Sequence, residues 1–345
     1  MRLLTLGLCA LGLCAPILSC SPEPEQSTAP THDQAMIDAN RYRDSDGALR
    51  VALVKQPYHG GRNVAELSRN PGYLEEGGIA DVLAQAGFGL KPINTVELTP
   101  EESREYGEWH RLGLANGHLA EFVAANEEEG YLTVGLLANC NALIGMLGGF
   151  QDSDPTEGAR TIGLVWVDAH GDFNTPETTL SGMLGGMPVA VSAGLALTRL
   201  RTESHLDPPI STEHIVMAGV RDTDPEEQKL IEKHQLARIS TQDIRDRSDA
   251  LHDQMARLSE AVDLIYVHID MDVLDPREVQ GHGLTVADGP TSEELAAALT
   301  EMFKYPRVAG LGIASTPAYD ADPGELSRQA AYRLIRGALE GVRAR

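Results

Sequence analysis

Acidic residues and a histidine follow three apolar segments of this sequence, at spacings that suit a metal site. The three groups read Asp168-Ala-His-Gly-Asp172, Arg221-Asp-Thr-Asp224 and Asp270-Met-Asp272. Ligands of open parallel sheets bind at the carboxyl ends of the strands, so we expect these groups to meet in space. Side chains alternate along a strand, so Asp168 and His170 point to one side, as do Asp270 and Asp272. The loop at Gly171 can return Asp172 to the same place.

The clustering of carboxylates predicts bound cations. Carboxylates packed together repel and raise one another's pKa unless cations neutralise them. Two divalent ions sharing carboxylates remove this repulsion and lower the pKa of a bridging water, which gives hydroxide near neutral pH. Carboxylate-rich ligation with imidazole favours manganese or another first-row ion over structural zinc. For Asp222 and Asp224, capping of the next helix and a role in the site stay equally open.

Six apolar runs are expected to form the sheet that positions these groups. Runs without polar alternation are typical of strands covered on both faces, as in α/β proteins. The capping box Thr291-Ser-Glu-Glu294 predicts a helix over 293–303, and helical spacing of apolar residues predicts another over 324–342. We expect one α/β domain over residues 48–345. The six predicted strands are 49–54, 131–137, 161–167, 214–218, 264–269 and 308–313.

Charge and composition exclude some classes of function. The chain has 345 residues, with 28 Lys and Arg against 51 Asp and Glu and a formal net charge of −23. The hydrophobic fraction of 42% is enough for a globular core and argues against a disordered chain. The negative charge opposes attraction to a phosphate backbone, so we expect no nucleic-acid partner.

The first twenty residues are predicted to be a signal peptide. Arg2 precedes an apolar run over 3–18 that is short for a membrane span, and Ile17-Leu-Ser-Cys20 resembles a bacterial lipoprotein processing site. Lipidation of Cys20 and a polar tether over 21–47 would anchor the protein in the cell envelope, facing the periplasm. The alternative is an ordinary secretory signal with a released product. Only Cys140 lies in the predicted domain, so no internal disulfide is expected.

Five motifs along the chain together resemble a known family. They are Trp166-Val-Asp-Ala-His-Gly-Asp-Phe-Asn-Thr-Pro176, Ser181-Gly182, Gly186-Met-Pro188, Arg221-Asp-Thr-Asp-Pro225 and Asp270-Met-Asp-Val-Leu-Asp-Pro276. In order, and over roughly residues 48–343, the sequence resembles the arginase, agmatinase and formimidoylglutamase (ureohydrolase) family. The resemblance implies a three-layer αβα fold on a mainly parallel eight-stranded sheet and a two-manganese site. It also implies hydrolysis of amidine or guanidine groups of a small molecule by a metal-bridging hydroxide, in a trimer or hexamer.

The same resemblance assigns roles to individual residues. Asp168 and Asp270 would bridge the two metal ions. Asp172 would complete one metal site, and His170 with Asp272 would complete the other. Asn174 and Ser181 match the family and are expected to bind polar groups of the substrate. Asp222 and Asp224 are candidates for the same task.

Two departures from the family pattern concern the metal ions and proton transfer. Cys140 stands where the family has the first histidine ligand; its thiolate could admit zinc or iron, and the alternative is a buried thiol without a ligand role. Met183 and Gly185 stand where arginase-like members carry an asparagine and a proton-shuttling histidine. His282, between two glycines, is the candidate replacement, against the alternative of an exposed loop residue. Asp172 and His282 are therefore the predicted catalytic residues.

A third departure concerns the substrate. The strand end 312–317 carries hydroxyls where arginase-like members carry the carboxylate that pairs with the guanidinium, so arginine is a doubtful substrate. Asp320 or Asp322 could supply a carboxylate from the following loop. His268 lies on the strand face of Asp270 and is expected to orient a metal ligand.

Two hypotheses follow. The leading one is a metal-dependent hydrolase of a linear amidine, guanidine or related C–N bond. The alternative is a lipoprotein that keeps the fold but has lost catalysis and serves in ligand binding or assembly.

Overall fold

The computed structural model describes residues 40–59, 68–153 and 159–345. The predicted signal peptide, Cys20 and most of the predicted tether lie outside these residues. All six predicted strands are present, together with three further short strands that were not predicted. In the described part of the chain the strands are β1 (Arg50–Gln56), β2 (Gly89–Leu90), β3 (Asn94–Thr95), β4 (Leu132–Leu137), β5 (Ile162–Val167), β6 (Ile215–Ala218), β7 (Ala237–Ile239), β8 (Leu264–Asp270) and β9 (Val308–Ala314).

The nine strands form one sheet in which neighbouring strands run parallel. The strand order is β2-β1-β4-β9-β8-β5-β6-β7, and β3 also pairs with β1. Since β4 lies along one side of β1, β2 and β3 share the other side. The expected αβα fold with a mainly parallel sheet is confirmed. The expected count of eight strands becomes nine, because two short strands occupy one edge position.

Two groups of helices pack on the sheet. In the described part of the chain the α-helices are α1 (Asn70–Glu76), α2 (Ile79–Gln85), α3 (Glu108–Glu128), α4 (Leu143–Asp152), α5 (Pro188–Ser192), α6 (Thr198–Glu203), α7 (Pro225–Lys233), α8 (Thr241–Asp246), α9 (Asp249–Ala261), α10 (Ser292–Met302) and α11 (Leu326–Arg343). Helix α3 packs on α4 and α6, and α4 packs on α5; in the second group, α10 packs on α8, α9 and α11. Strands β4, β5, β8 and β9 are buried along their whole length, as expected when helices cover both faces. Among the described residues, no helix has the length and apolar character that crossing a bilayer requires.

The two predicted C-terminal helices correspond to α10 and α11. The predicted capping box forms at the start of α10, where the side chains of Thr291 and Glu294 each accept a backbone N–H of the other. Such a cap satisfies two donors that the first turn of a helix leaves without partners.

The predicted tether ends earlier than residue 47. Tyr42 is 1% exposed, and its hydroxyl donates to Oε2 of Glu127 at 3.0 Å. Glu127 is itself buried and also pairs with Arg41. Residues 40–47 are mostly polar and charged, so their composition gave no sign that Tyr42 is buried. The contact of Tyr42 with Glu127 attaches this segment to the end of α3.

Replacing Tyr42 by alanine should therefore destabilise the whole domain. We expect the free energy of unfolding to fall by about 3–5 kcal/mol, the usual cost of removing a buried aromatic side chain. Urea denaturation followed by circular dichroism measures this change. Tyr106→Ala is the matched control, because Tyr106 is 97% exposed and its loss should cost less than about 0.5 kcal/mol. Equal stability of the two variants would show that residues 40–47 do not belong to the domain.

Candidate metal centre

Carboxylate, imidazole and thiol groups meet beyond the carboxyl ends of β4, β5 and β8. Strands β4, β9, β8 and β5 are successive neighbours in the sheet, so their ends form one continuous edge. Among the described residues, three groups of side chains bring ligand atoms within 4.8 Å of one another. These groups are Cys140 with Asp168 and Asp270, Asp168 with His170 and Asp272, and Asp270 with Asp272 and His282. Overlapping ligand sets of this kind suit two metal ions that share carboxylates.

Asp270 ends β8 and turns its two oxygens toward different partners. Its Oδ2 accepts hydrogen bonds from Cys140 Sγ at 2.8 Å and from Ser315 Oγ at 2.7 Å. Its Oδ1 accepts the backbone N–H of Asp272 at 3.0 Å and lies 3.5 Å from Nε2 of His282. Although burial opposes ionisation, the contacts with His282 and Cys140 lower the pKa of Asp270 below its ordinary value. Asp270 therefore links the two ends of the cluster as an ionised carboxylate.

His170 lies between two carboxylates. Its Nδ1 is 3.1 Å from Oδ2 of Asp272 and 3.4 Å from Oδ1 of Asp168. Although burial alone would lower it, hydrogen bonding to these carboxylates raises the pKa of His170 to about 11. Burial, followed by the charge of Asp272, raises the pKa of Asp168 well above its ordinary value. The carboxylates thus hold a proton on His170, in a place where a metal cation would serve the same electrostatic purpose.

Asp172 faces the same cavity but stays outside the three close groups of ligand atoms. Its backbone is in the left-handed region, with φ of 45°. The loop packs closely at Gly171, where a Cβ would lie 2.7 Å from Oε1 of Glu227. Burial and the charge of Asp270 raise the pKa of Asp172 well above its ordinary value. Asp172 therefore favours its protonated form unless a cation is bound, because its ionisation would add negative charge beside Asp270.

His282 reaches the cluster from the loop after β8. Its side chain is only 11% exposed, which argues against the alternative that His282 is an exposed loop residue. Glycine is required at position 281 for this close approach of the loop, because a Cβ there would collide with the carbonyl oxygen of Ala321. Although burial opposes it, contact with Asp270 raises the pKa of His282. The loop thus presents an imidazole to the centre, at the position that the sequence suggested for proton transfer.

Cys140 lies in the 3₁₀ turn Cys140–Ala142 between β4 and α4. The thiol is 1% exposed. Burial and the charge of Asp270 raise the pKa of Cys140 well above its ordinary value, so the metal-free protein holds a neutral thiol that donates to Asp270. A bound cation would reverse this preference, since metal coordination favours the thiolate.

The predicted substrate-binding residues lie on the walls of the same cavity, at different depths. Asn174 Nδ2 donates to Oδ2 of Asp224 at 3.2 Å, and Asp224 also forms a capping box with Glu227 at the start of α7. The capping alternative for Asp224 is thus confirmed, and its role in binding a substrate stays a prediction. Asp222 and Ser181 are exposed and line the outer cavity.

Ser315 was not among the predicted site residues, and two other residues have partners outside the cluster. Ser315 follows β9, and the hydroxyls at this strand end were noted only as the absence of an acid. The ring of His268 stacks on Trp166 with 4.8 Å between ring centres, and its Nδ1 meets the hydroxyl of Tyr266 at 2.9 Å, so the described contacts join it to neighbours other than the candidate ligands. Asp322 is not available to a substrate, because it accepts the hydroxyl of Tyr73 and the N–H of Ser327. Asp320 does line the cavity.

The donor set fits divalent ions. Four carboxylates, at positions 168, 172, 270 and 272, face two imidazoles in this cluster, and the cavity that contains them has a volume of about 790 Å³. The guanidinium of Arg221 lies nearby but donates to backbone carbonyls, among them Gly219 and Ala287 at 3.0 and 2.8 Å. The negative charge therefore exceeds what the surrounding side chains neutralise, and oxygen, nitrogen and sulfur donors are all ligands of first-row metals.

Comparison with known proteins identifies relatives over most of the described chain. The family model described as the arginase family matches residues 142–340. Human mitochondrial arginase-2 is 30% identical over 260 residues, which is 71% of this chain and 71% of the human protein. The arginase of Bacillus caldovelox is 28% identical over 253 residues, 71% of this chain and 83% of its own length. A solved structure of that arginase matches over 85% of this chain and 98% of the arginase chain, with a TM-score of 0.72 at 25% identity.

The charge excess predicts how the metal-free protein responds to Asp172→Asn. A carboxyl group whose pKa is raised on folding contributes stability below its unfolded pKa, and this stability is lost as the pH rises through the folded value. At pH 8 the variant should be more stable than the metal-free parent. The gain should be on the order of 1 kcal/mol for each pH unit by which folding raises the pKa of Asp172. The amide tolerates the left-handed backbone.

Thermal unfolding in the presence of a chelator, from pH 4 to 9, measures the effect. Added manganese should then stabilise the parent much more than the variant. The control is Asp46→Asn at an exposed position outside the cluster, which should change neither curve. A variant that is less stable than the parent in chelator at pH 8 would contradict the repulsion argument.

Proposed function

The chain belongs to the arginase family, and on this premise we propose that it hydrolyses a linear amidine, guanidine or related C–N bond with two divalent metal ions. The observation that carries the proposal is the convergence of six ligand side chains on one strand edge in three overlapping groups. Asp168 and Asp270 would be shared by the two ions, with Cys140 on one side and His170 with Asp272 on the other. When bound, the two ions would supply a nucleophilic hydroxide near neutral pH.

The remaining residues of the cavity have roles that follow from their contacts. Ser315 donates to Oδ2 of Asp270 and so fixes the orientation of a shared ligand. Asp222 and Asp224 line the cavity and would attract a cationic amidinium, while Asn174 is held against Asp224. His282 lies beside Asp270 and Asp272 and would hold or deliver the proton that the leaving nitrogen needs. The loop that carries Met183 and Gly185 contains no imidazole for this task.

Metal content and product release test the proposal. Manganese-loaded protein should bind about two ions per chain and release urea or ammonia from at least one compound of a panel of guanidines and amidines. Asp270→Ala should remove most metal binding and all hydrolysis, because this residue contributes to two of the three ligand groups. If the Asp270→Ala variant still binds as many metal ions per chain as the parent, Asp270 is not a shared ligand. A parent that binds metal but hydrolyses no member of the panel would favour the binding or assembly alternative.

Cys140 should set the choice of metal. Cys140→Ser should weaken zinc binding more than manganese binding, and Cys140→His should raise the affinity for manganese relative to zinc, because thiolate is the softer ligand. Competition titrations with both metals measure these ratios. In the parent, the cobalt-loaded protein should show sulfur-to-cobalt charge transfer, and the thiol should resist alkylation until a chelator is added. Unchanged metal ratios in both variants, with equal alkylation rates, would leave Cys140 as a packing residue.

A further inference from the structure

The mouth of the active-site cavity has an apolar surface that the proposed chemistry does not use. Among the residues that the structure describes, six large apolar or aromatic side chains are exposed, and three of them line this cavity. They are Leu180 at 75%, Met183 at 51% and Leu284 at 53% exposure. Leu180 and Met183 belong to the loop after β5, and Leu284 belongs to the loop after β8, which is the neighbouring strand. Exposed apolar side chains that gather at a cavity mark a binding surface.

We propose that Leu180, Met183 and Leu284 bind an uncharged alkyl or aryl tail of the substrate, while its amidine or guanidine group meets the metal centre. This inference rests on the proposed function, because it names the tail of that function's substrate. The surface is continuous with the ligand cluster, since one cavity of about 790 Å³ is lined both by Asp168 and Asp270 and by these apolar residues. A volume of this size suits a ligand larger than a bare guanidinium.

Three features of the cavity wall count against an ammonium tail, although the carboxylates of Asp222, Asp224 and Asp320 also line the cavity and would attract a cation. Arg69 lines the mouth, with its guanidinium 3.9 Å from the ring centre of Tyr319, and would repel a second cation. Asp322, which the sequence offered as a partner for a cation, is occupied by Tyr73 and by the start of α11. The strand end 314–316 offers Ala, Ser and Thr and no carboxylate.

The glycines of the two loops leave room for such a tail. A Cβ added at Gly182 or Gly283 would meet no atom of the described structure within 4 Å. Gly186, at the base of the first loop, is equally open. Space beside exposed leucines allows a tail to bury their surface, and burial of apolar surface provides the affinity.

A series of n-alkylguanidines tests the proposal, with isothermal titration of manganese-loaded protein as the measurement. From methyl to hexyl, the dissociation constant should fall by about two- to fourfold for each methylene group, as expected for burial of apolar surface. Leu180→Ser and Leu284→Ser should flatten this dependence. Leu326→Ser is the matched control, since Leu326 is 44% exposed at the start of α11 and does not line the cavity. Guanidines of matched length that end in an ammonium or a carboxylate should bind at least tenfold more weakly than the alkyl compound.

Other outcomes would overturn the assignment. Tighter binding of the carboxylate compound would assign the mouth to anion recognition by Arg69. A flat dependence on chain length in the parent would exclude the apolar tail, even if hydrolysis occurs. Variants that keep the parent's affinities but change the assembly state in size-exclusion chromatography would assign the leucines to a subunit contact. Conversely, affinity that rises with chain length without hydrolysis of any compound would support the tail site and count against the proposed function.

Discussion

Four carboxylates at one strand edge would, when all are ionised, place more negative charge in a small, largely buried volume than the protein itself neutralises. Asp168, Asp270 and Asp272 are at most 6% exposed, and the pKa of Asp168 is raised by burial and by the charge of its neighbours. Burial of unpaired charge is among the most expensive features a fold can carry. The parallel sheet makes it possible, because four fully buried neighbouring strands fix the carboxylates in place while helices on both faces keep the core dry. We interpret this arrangement of carboxylates as a site that binds cations.

Hydrogen bonds around this charge explain the details of the centre. Asp270 stays ionised because His282, Cys140 and Ser315 approach its two oxygens, and His170 holds a proton between two other carboxylates. Each of these contacts does in the metal-free protein part of what a metal ion would do. The thiol of Cys140 is the notable difference from the histidine expected at this place in the family. In the proposed centre it would supply a softer donor on one side only, so the two metal positions are expected to differ in preference.

The sequence was informative where physical patterns are strong. Long apolar runs without alternation identified the six central strands, and acids directly after three of them located the site, because strand ends of a parallel sheet meet at one edge. Strands of two or three residues, such as β2, β3 and β7, carry too little pattern to be recognised. The burial of Tyr42 depends on a distant partner, Glu127, and the approach of His282 depends on Gly281 packing against Ala321. Such long-range contacts leave no local signal in the residues themselves, and the same holds for the pairing of Asp322 with Tyr73.

Crystallographic anomalous scattering from manganese-loaded protein would show whether the carboxylate cluster holds two ions. Two anomalous peaks are expected roughly 3.5–4 Å apart, as in two-metal hydrolytic sites. Asp168 and Asp270 should contact both peaks, and Cys140 Sγ should lie about 2.3 Å from one of them if zinc replaces manganese there. Two peaks with these ligands would establish that the carboxylate cluster is a dinuclear centre. A single peak, or none within reach of Asp168 and Asp270, would contradict it.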